Sequence, residues 1–220
     1  GIGCSVPSTQ QAVWTLPRAA DRSAVFDRTE QIAAILTPEL ALDDALDTWN
    51  YRTNRDLTGY EDGTENPKGE EAIDAAISAL PDLAGSSFVA VQRWSHDLKS
   101  FNAHPKAERD AIIGRERDSN EELEDAPESA HVKRTAQEDY DPPTFMIRRS
   151  MPYSTGADQG LEFIAFGHTH DAFERQMRRM AGLDDGIVDA VFRFSRPITG
   201  GYYWCPPVKG DRLDPKMIGM

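Results

Sequence analysis

The sequence predicts an α+β protein, an antiparallel β-sheet with helices laid against one face. Three observations carry that expectation. From residue 87 onward the segments read strand, helix, strand, strand, helix, strand. Residues 87–94 are the clearest strand, a β-rich run holding Phe88, Val89, Val91 and Trp94. Residues 171–182 form a strongly amphipathic helix, with Phe173, Met177 and Met180 on one side and arginines on the other. The order is the split βαββαβ pattern of a ferredoxin-like half.

Composition narrows the setting. A chain of 220 residues can bury a good core as one domain or two small ones. Its 39% hydrophobic and 28% charged residues are ordinary for a globular protein. A net charge of −13 argues against nucleic acid or an anionic membrane as the main partner. No apolar run approaches a membrane span, and no charged-then-apolar start marks a leader. The two cysteines, Cys4 and Cys205, stand near opposite ends without a C-x-x-C pair. They read as free thiols, which suits a cytoplasmic location.

In chain order, residues 2–6 are the end of a strand or a loop, and 12–16 a short strand containing Trp14. Asp21 or Ser23 caps a helix in which Val25, Phe26, Thr29, Ile32, Ala33 and Leu36 recur at helical spacing until Pro38. A second helix is expected over 39–46. Residues 68–80 carry a helical turn or a linker closed by Pro81, and 106–114 a helix ended by glycine. The charge run over 115–126 reads as a solvated face. Strands over 144–150 and 161–168 are joined by a loop holding Pro152 and Gly156. Residues 188–194 lead to Pro197, and 202–205 form the last strand.

One stretch stands apart, Gly59-Tyr60-Glu61-Asp62-Gly63-Thr64-Glu65-Asn66-Pro67. Asp62-Gly63 and Asn66-Pro67 are both breaker pairs, so the stretch is a turn. Asp62 lies between two glycines, which lets the backbone press against something flat while a carboxylate points at it. On that feature alone a plain turn is the commoner reading.

The G-x-x-D-G of this turn resembles the signature of the dye-decolorizing (DyP-type) haem peroxidases, and Thr64-Glu65-Asn66-Pro67 matches the form seen there. The resemblance runs from about Asp56 to Tyr203 and is most like the short bacterial cytoplasmic members. It implies the ferredoxin-like sheet of a dimeric α+β barrel, here with an abbreviated N-terminal half over 1–58, a motif loop and linker over 59–86, and a haem-binding half over 87–220. It implies haem b (iron protoporphyrin IX) as cofactor, hydrogen peroxide as oxidant, and dyes, phenols or similar small aromatic donors oxidised in one-electron steps. A homo-oligomer and an encapsulin shell are further implied partners. A haem-processing, iron-releasing protein and a non-catalytic remnant are the alternative readings on the same scaffold.

Site residues follow from the matching segments. The resemblance implies that Asp62 is the proton-shuttling base and that Gly63, Thr64 and Glu65 contact the cofactor. His131, in Ser129-Ala130-His131-Val132, is similar to the segment that carries the proximal iron ligand; from composition alone it would be a satisfied or exposed histidine. Arg148, in Met146-Ile147-Arg148-Arg149-Ser150, takes the place of the distal arginine that stabilises charge; strand alternation sends Arg148 and Arg149 to opposite sides, and one of the two is exposed. Ser150 stands where relatives have a distal asparagine or serine. Ile112-Ile113-Gly114-Arg115 matches the segment whose arginine pairs a haem propionate, with an exposed base as the plain reading. Phe163 and Phe166 match aromatics of the pocket and otherwise read as core. Trp94, Tyr202, Tyr203 and Trp204 are core residues or electron relays. His96, His104 and the His168-x-His170 pair are the other ligand candidates, the pair reading as a surface feature. Many relatives place an acid in the strand before the Phe-Ser pair to serve the proximal histidine. Arg193 stands there, which leaves the partner of His131 unassigned.

Overall fold

The computed structural model describes Gly1 and residues 3–219. The chain divides into two compact units, Gln11–Asp47 and the remainder, Gly1–Gln10 with Thr48–Met220. The smaller unit holds one helix, α1 (Arg22–Leu36). Its N-cap is Asp21, whose carboxylate accepts the Ala24 N–H at 2.9 Å. It stops at Thr37, just before Pro38, and none of its residues is buried. The strand expected over 12–16 and the helix over 39–46 are irregular. Apolar spacing without a surface to pack on does not hold so short a helix. An abbreviated ferredoxin-like half is expected over 1–58. Among the described residues that stretch carries one helix and isolated bridges at Thr48 and Arg55, but no strand.

The larger unit begins with α2 (Glu70–Ala76) and then β1 (Ser87–His96). Two short helices follow, α3 (Leu98–Ala103) and α4 (Lys106–Ile113), and then α5 (His131–Arg134). Strands β2 (Ile147–Arg148), β3 (Met151–Ser154) and β4 (Gln159–Gly167) lead into α6 (Asp171–Met180). The sheet is completed by β5 (Ser195–Pro197) and β6 (Gly201–Cys205); β7 (Val208–Lys209) and β8 (Arg212–Leu213) make a separate hairpin. Pro152, expected in a loop, lies in β3, leaving only 155–158 as the turn. A proline fits there because β3 is an edge strand, where a missing N–H costs no ladder bond.

The sheet order is β2 with β3, then β4, β1, and β5 with β6, and every pairing is antiparallel. Taking the split strands together, this is second, third, first, fourth, the ferredoxin-like arrangement. Register decides which side chains share a face. Gln92 stands opposite Phe163, Trp94 opposite Leu161, Arg148 opposite Ala165, and His96 opposite Ser195. Directly opposed residues point the same way, so these all project from one face. Helix α6 covers part of that face, its Ala172, Phe173, Met177 and Met180 packing with Ala90, Trp94, Met146 and Ala165 in one buried cluster. Among the described residues no helix is long and apolar enough to cross a membrane.

Candidate functional site

The turn that carries Asp62 is built as its glycines suggest. Gly59 and Gly63 both take positive φ, 91° and 71°, conformations a side chain rarely tolerates. The Asp62 N–H donates to the Asn54 carbonyl at 2.9 Å, and Arg55 crosses the base of the turn to Glu61 at 2.9 Å. Asn66 faces β2. Its side-chain amide donates to the Arg148 carbonyl at 2.9 Å, and its carbonyl accepts the Arg148 N–H at 2.8 Å. Gln137 repeats the device, donating to the Glu65 carbonyl and accepting from the Met146 N–H, both at 3.0 Å. The turn is thereby zipped to the strand that carries Arg148. Asp62 Oδ1 and Arg148 Nη1 lie 3.9 Å apart. That distance keeps the charges in attraction but exceeds a hydrogen bond, so both groups retain capacity for a third partner.

His131 opens α5. The helix is anchored by Arg134, which is 2% exposed and forks onto Asp185 at 2.7 and 2.8 Å. Gly114, the left-handed cap of α4 at φ 93°, lets that helix end against α5; a Cβ there would meet Val132 Cγ1 at 2.0 Å. The Nδ1 of His131 lies 2.8 Å from Asp189 Oδ2. Asp189 has no exposed side-chain surface, and its other oxygen accepts the Val191 N–H at 2.8 Å, capping the 3₁₀ turn Ala190–Arg193. The missing partner is therefore Asp189. It stands four residues before Arg193, where the acid was sought, and a short turn rather than a strand presents it.

The two pairs meet at one open cavity. Asp62, Arg148, His131 and Phe163 all line it. The sheet contributes Gln92, Trp94 and Leu161, and α6 contributes Phe173, Met177 and Met180. Its mostly apolar wall with a few charged groups is that of a small-molecule or cofactor site.

The remaining expected residues do not line the cavity. Phe166 stands opposite Ile147, on the other face of the sheet from Phe163, because residues three apart on a strand cannot share a face. Ser150 lies off the cavity, its hydroxyl buried without a hydrogen-bond partner among the described residues. Arg115 bonds Glu65 at 2.7 Å and Glu122 at 3.1 Å, and Asn120 reaches the Thr64 hydroxyl at 3.3 Å. Arg115 and Asn120 thus brace the turn from outside, and Gly63, Thr64 and Glu65 lie off the cavity wall. His168 and His170 form no metal group with other ligands among the described residues. His96 does reach the cavity, but both its nitrogens are engaged, Nδ1 with Ser195 Oγ at 2.6 Å and Nε2 with Asp56 Oδ1 at 3.2 Å. The alternation Gln92, Trp94, His96 was the signal for this wall.

The chain resembles known proteins over most of its length. Residues 53–210 match the family model described as Dyp-type peroxidase, C-terminal. Over 205 residues the chain is 32% identical to a dye-decolorizing peroxidase of Mycolicibacterium paratuberculosis, covering 90% of this chain and 57% of that protein. A dye-decolorizing peroxidase of Mycobacterium tuberculosis is likewise 32% identical over 205 residues, with 90% and 61% covered. The chain therefore spans about three-fifths of these relatives' length. Among solved structures, a dye-decolorizing protein from V. cholerae superposes with a TM-score of 0.83 at 31% identity, covering 92% of this chain and 69% of that one.

Proposed function

Because the chain belongs to the Dyp-type peroxidase family, we propose that it is a haem-dependent peroxidase. In this reading it reduces hydrogen peroxide and oxidises dyes, phenols or similar small aromatic donors in one-electron steps. The observation that carries the reading is the meeting of the Asp189–His131 pair and the Asp62–Arg148 pair on one apolar-walled cavity. A variant of the related DypB from Rhodococcus jostii, 30% identical with a TM-score of 0.82, is described in complex with heme.

The residues present fit that cofactor. Asp189 takes the Nδ1–H of His131 and leaves Nε2 as the donor atom for iron, the arrangement typical of metal-bound histidine. His96, the other histidine on the wall, has no nitrogen to spare. Trp94, Leu161, Phe163 and Met177 offer apolar surface to a flat macrocycle. Bound there, haem supplies the iron that takes peroxide and stores the oxidising equivalents.

The chain's own groups do the rest. Asp62 accepts the proton of the peroxide hydroxyl and returns it to the leaving oxygen. Arg148 stabilises the negative charge that grows on that oxygen as the O–O bond parts. The buried carboxylate of Asp189 fixes the tautomer of His131 and strengthens it as a donor. Cytoplasmic location, homo-oligomerisation and association with an encapsulin shell belong to the same reading and rest on family resemblance.

The test is an absorption spectrum of haem-reconstituted protein before and after one equivalent of peroxide. A histidine-ligated Soret band that changes on peroxide addition is expected. Asp62→Ala and Arg148→Leu should keep the band and slow its change about a hundredfold or more. Stable haem indifferent to peroxide would overturn the reading.

A further inference from the structure

His96 occupies an unusual place in the cavity wall. It ends β1, is 9% exposed, and is bonded through both ring nitrogens. Ser195, 3% exposed, holds Nδ1, and Asp56 holds Nε2. Because the carboxylate can only accept, Nε2 carries the proton toward Asp56, and in the neutral ring Nδ1 accepts the Ser195 O–H.

Asp56 is the foot of the turn that presents Asp62. Its second carboxylate oxygen accepts the Thr58 N–H at 2.9 Å and the Thr58 hydroxyl at 2.5 Å. Its own N–H donates to the Tyr60 carbonyl at 2.9 Å, and its carbonyl accepts the Gly59 N–H at 2.8 Å. Those bonds close residues 56–60 into a loop, two residues before Asp62. Asn66 and Gln137 hold the far side of the same turn to the β2 segment. On the near side, the imidazole links the loop to β1 and, through Ser195, to β5.

We propose that His96 is a positioning residue for Asp62: by tying Asp56 to the sheet it fixes the near side of the turn and so the placement of the base in the cavity. This rests on the peroxidase reading of that cavity. A histidine that merely fills the core would also be buried and satisfied. A positioning histidine differs in that its removal acts only while Asp62 is there to be misplaced.

The two bonds can be separated by substitution. Glutamine places its terminal amide near Nε2 and can keep the bond to Asp56. Asparagine places its amide near Nδ1 and can keep only the bond to Ser195. In haem-free protein, hydrogen exchange at the amides of residues 57–62 should quicken in His96→Asn and His96→Leu and stay near the parent rate in His96→Gln. In haem-loaded protein, kcat/KM for peroxide should fall about tenfold or more in His96→Asn, with KM for the donor unchanged, and recover in His96→Gln. In an Asp62→Ala background, His96→Asn should cost nothing further. An equal loss in that background, or unchanged exchange over 57–62, overturns the proposal. A parent protein that fails to hold haem would overturn the peroxidase reading instead, and the exchange rates would still decide whether His96 holds the turn.

Discussion

The side-chain amide of Asn66 pairs with the backbone of Arg148 through two hydrogen bonds, of 2.9 and 2.8 Å, as a neighbouring strand would. The pair joins the turn of Asp62 to the strand of Arg148, and so helps hold the two charged groups 3.9 Å apart. Asn66→Ala removes both bonds and strands a backbone N–H and a carbonyl. At about 1 kcal/mol for each bond, a loss of about 2 kcal/mol is expected in chemical denaturation. Peroxide reactivity should fall as well, with haem retained. Full activity in this variant would show that the placement of Asp62 does not depend on the clamp.

The buried carboxylate of Asp189 leads to a second expectation. Asp189→Ala leaves the Nδ1–H of His131 and the Val191 N–H without their acceptor. Loss of such a partner typically weakens metal binding about 10- to 100-fold. Haem titration should show that weakening together with a shifted Soret band. Asp189→Asn keeps a carbonyl acceptor and should fall between the two. Unchanged affinity and spectrum in the alanine variant would remove Asp189 from the site.

The sequence made some of this legible and hid the rest for identifiable reasons. The βαββαβ order was readable because strands and helices differ in period, and the sheet order follows from it. The Asp62 turn was readable because glycine and proline mark turns whatever surrounds them. Phe166 was misplaced although strand parity alone separates it from Phe163. Asp189 escaped because the acid was sought on a strand, whereas a 3₁₀ turn supplies it. The role of Asn66 lies in a contact 82 positions away, which local pattern does not encode. The same holds for His96, whose partners Asp56 and Ser195 are 40 and 99 positions distant. The second helix expected over 39–46 was over-read because its apolar spacing was not matched by burial.

Gly114 is a place where one methyl group should matter. Its φ of 93° is strained for any L side chain, and the added Cβ would lie 2.0 Å from Val132 Cγ1. Val132 follows His131, so relief of the clash moves α5 and the proposed iron ligand with it. Gly114→Ala should cost about 2–4 kcal/mol in a denaturant melt, combining backbone strain and overpacking. It should also weaken haem binding. A variant with parental stability would mean that α4 and α5 can separate freely.

Stability should fail at both ends of the pH scale, for opposite reasons. Burial pushes Asp56, Asp110 and Asp158 up, but hydrogen bonds outweigh it: from His96 and Thr58 on Asp56, from Lys106 and Tyr60 on Asp110, and from Ser95 and Tyr153 on Asp158. Asp185 is drawn down by its hydrogen bond from Arg134. All four carboxyls thus titrate below the usual range in the folded chain. Their contribution is complete above the unfolded value of about 4 and is lost as pH falls through the folded values. At the alkaline end the sign reverses. Burial first, and then hydrogen bonds to Asp110, Asp158 and Glu174, raise the phenols of Tyr60, Tyr153 and Tyr202. The unfolded chain then gives up these protons first, so stability declines above about pH 10. Burial also holds the His170 imidazole below its ordinary value, so its contribution is lost as pH falls below about 6.5. Urea midpoints should therefore be highest between about pH 7 and 9 and fall on either side. Replacing Asp56 with asparagine should flatten part of the acid limb, because one depressed carboxyl no longer takes up a proton on unfolding. A midpoint that rises as pH drops below 4 would contradict the assignment of these carboxylates as paired and ionised in the folded chain.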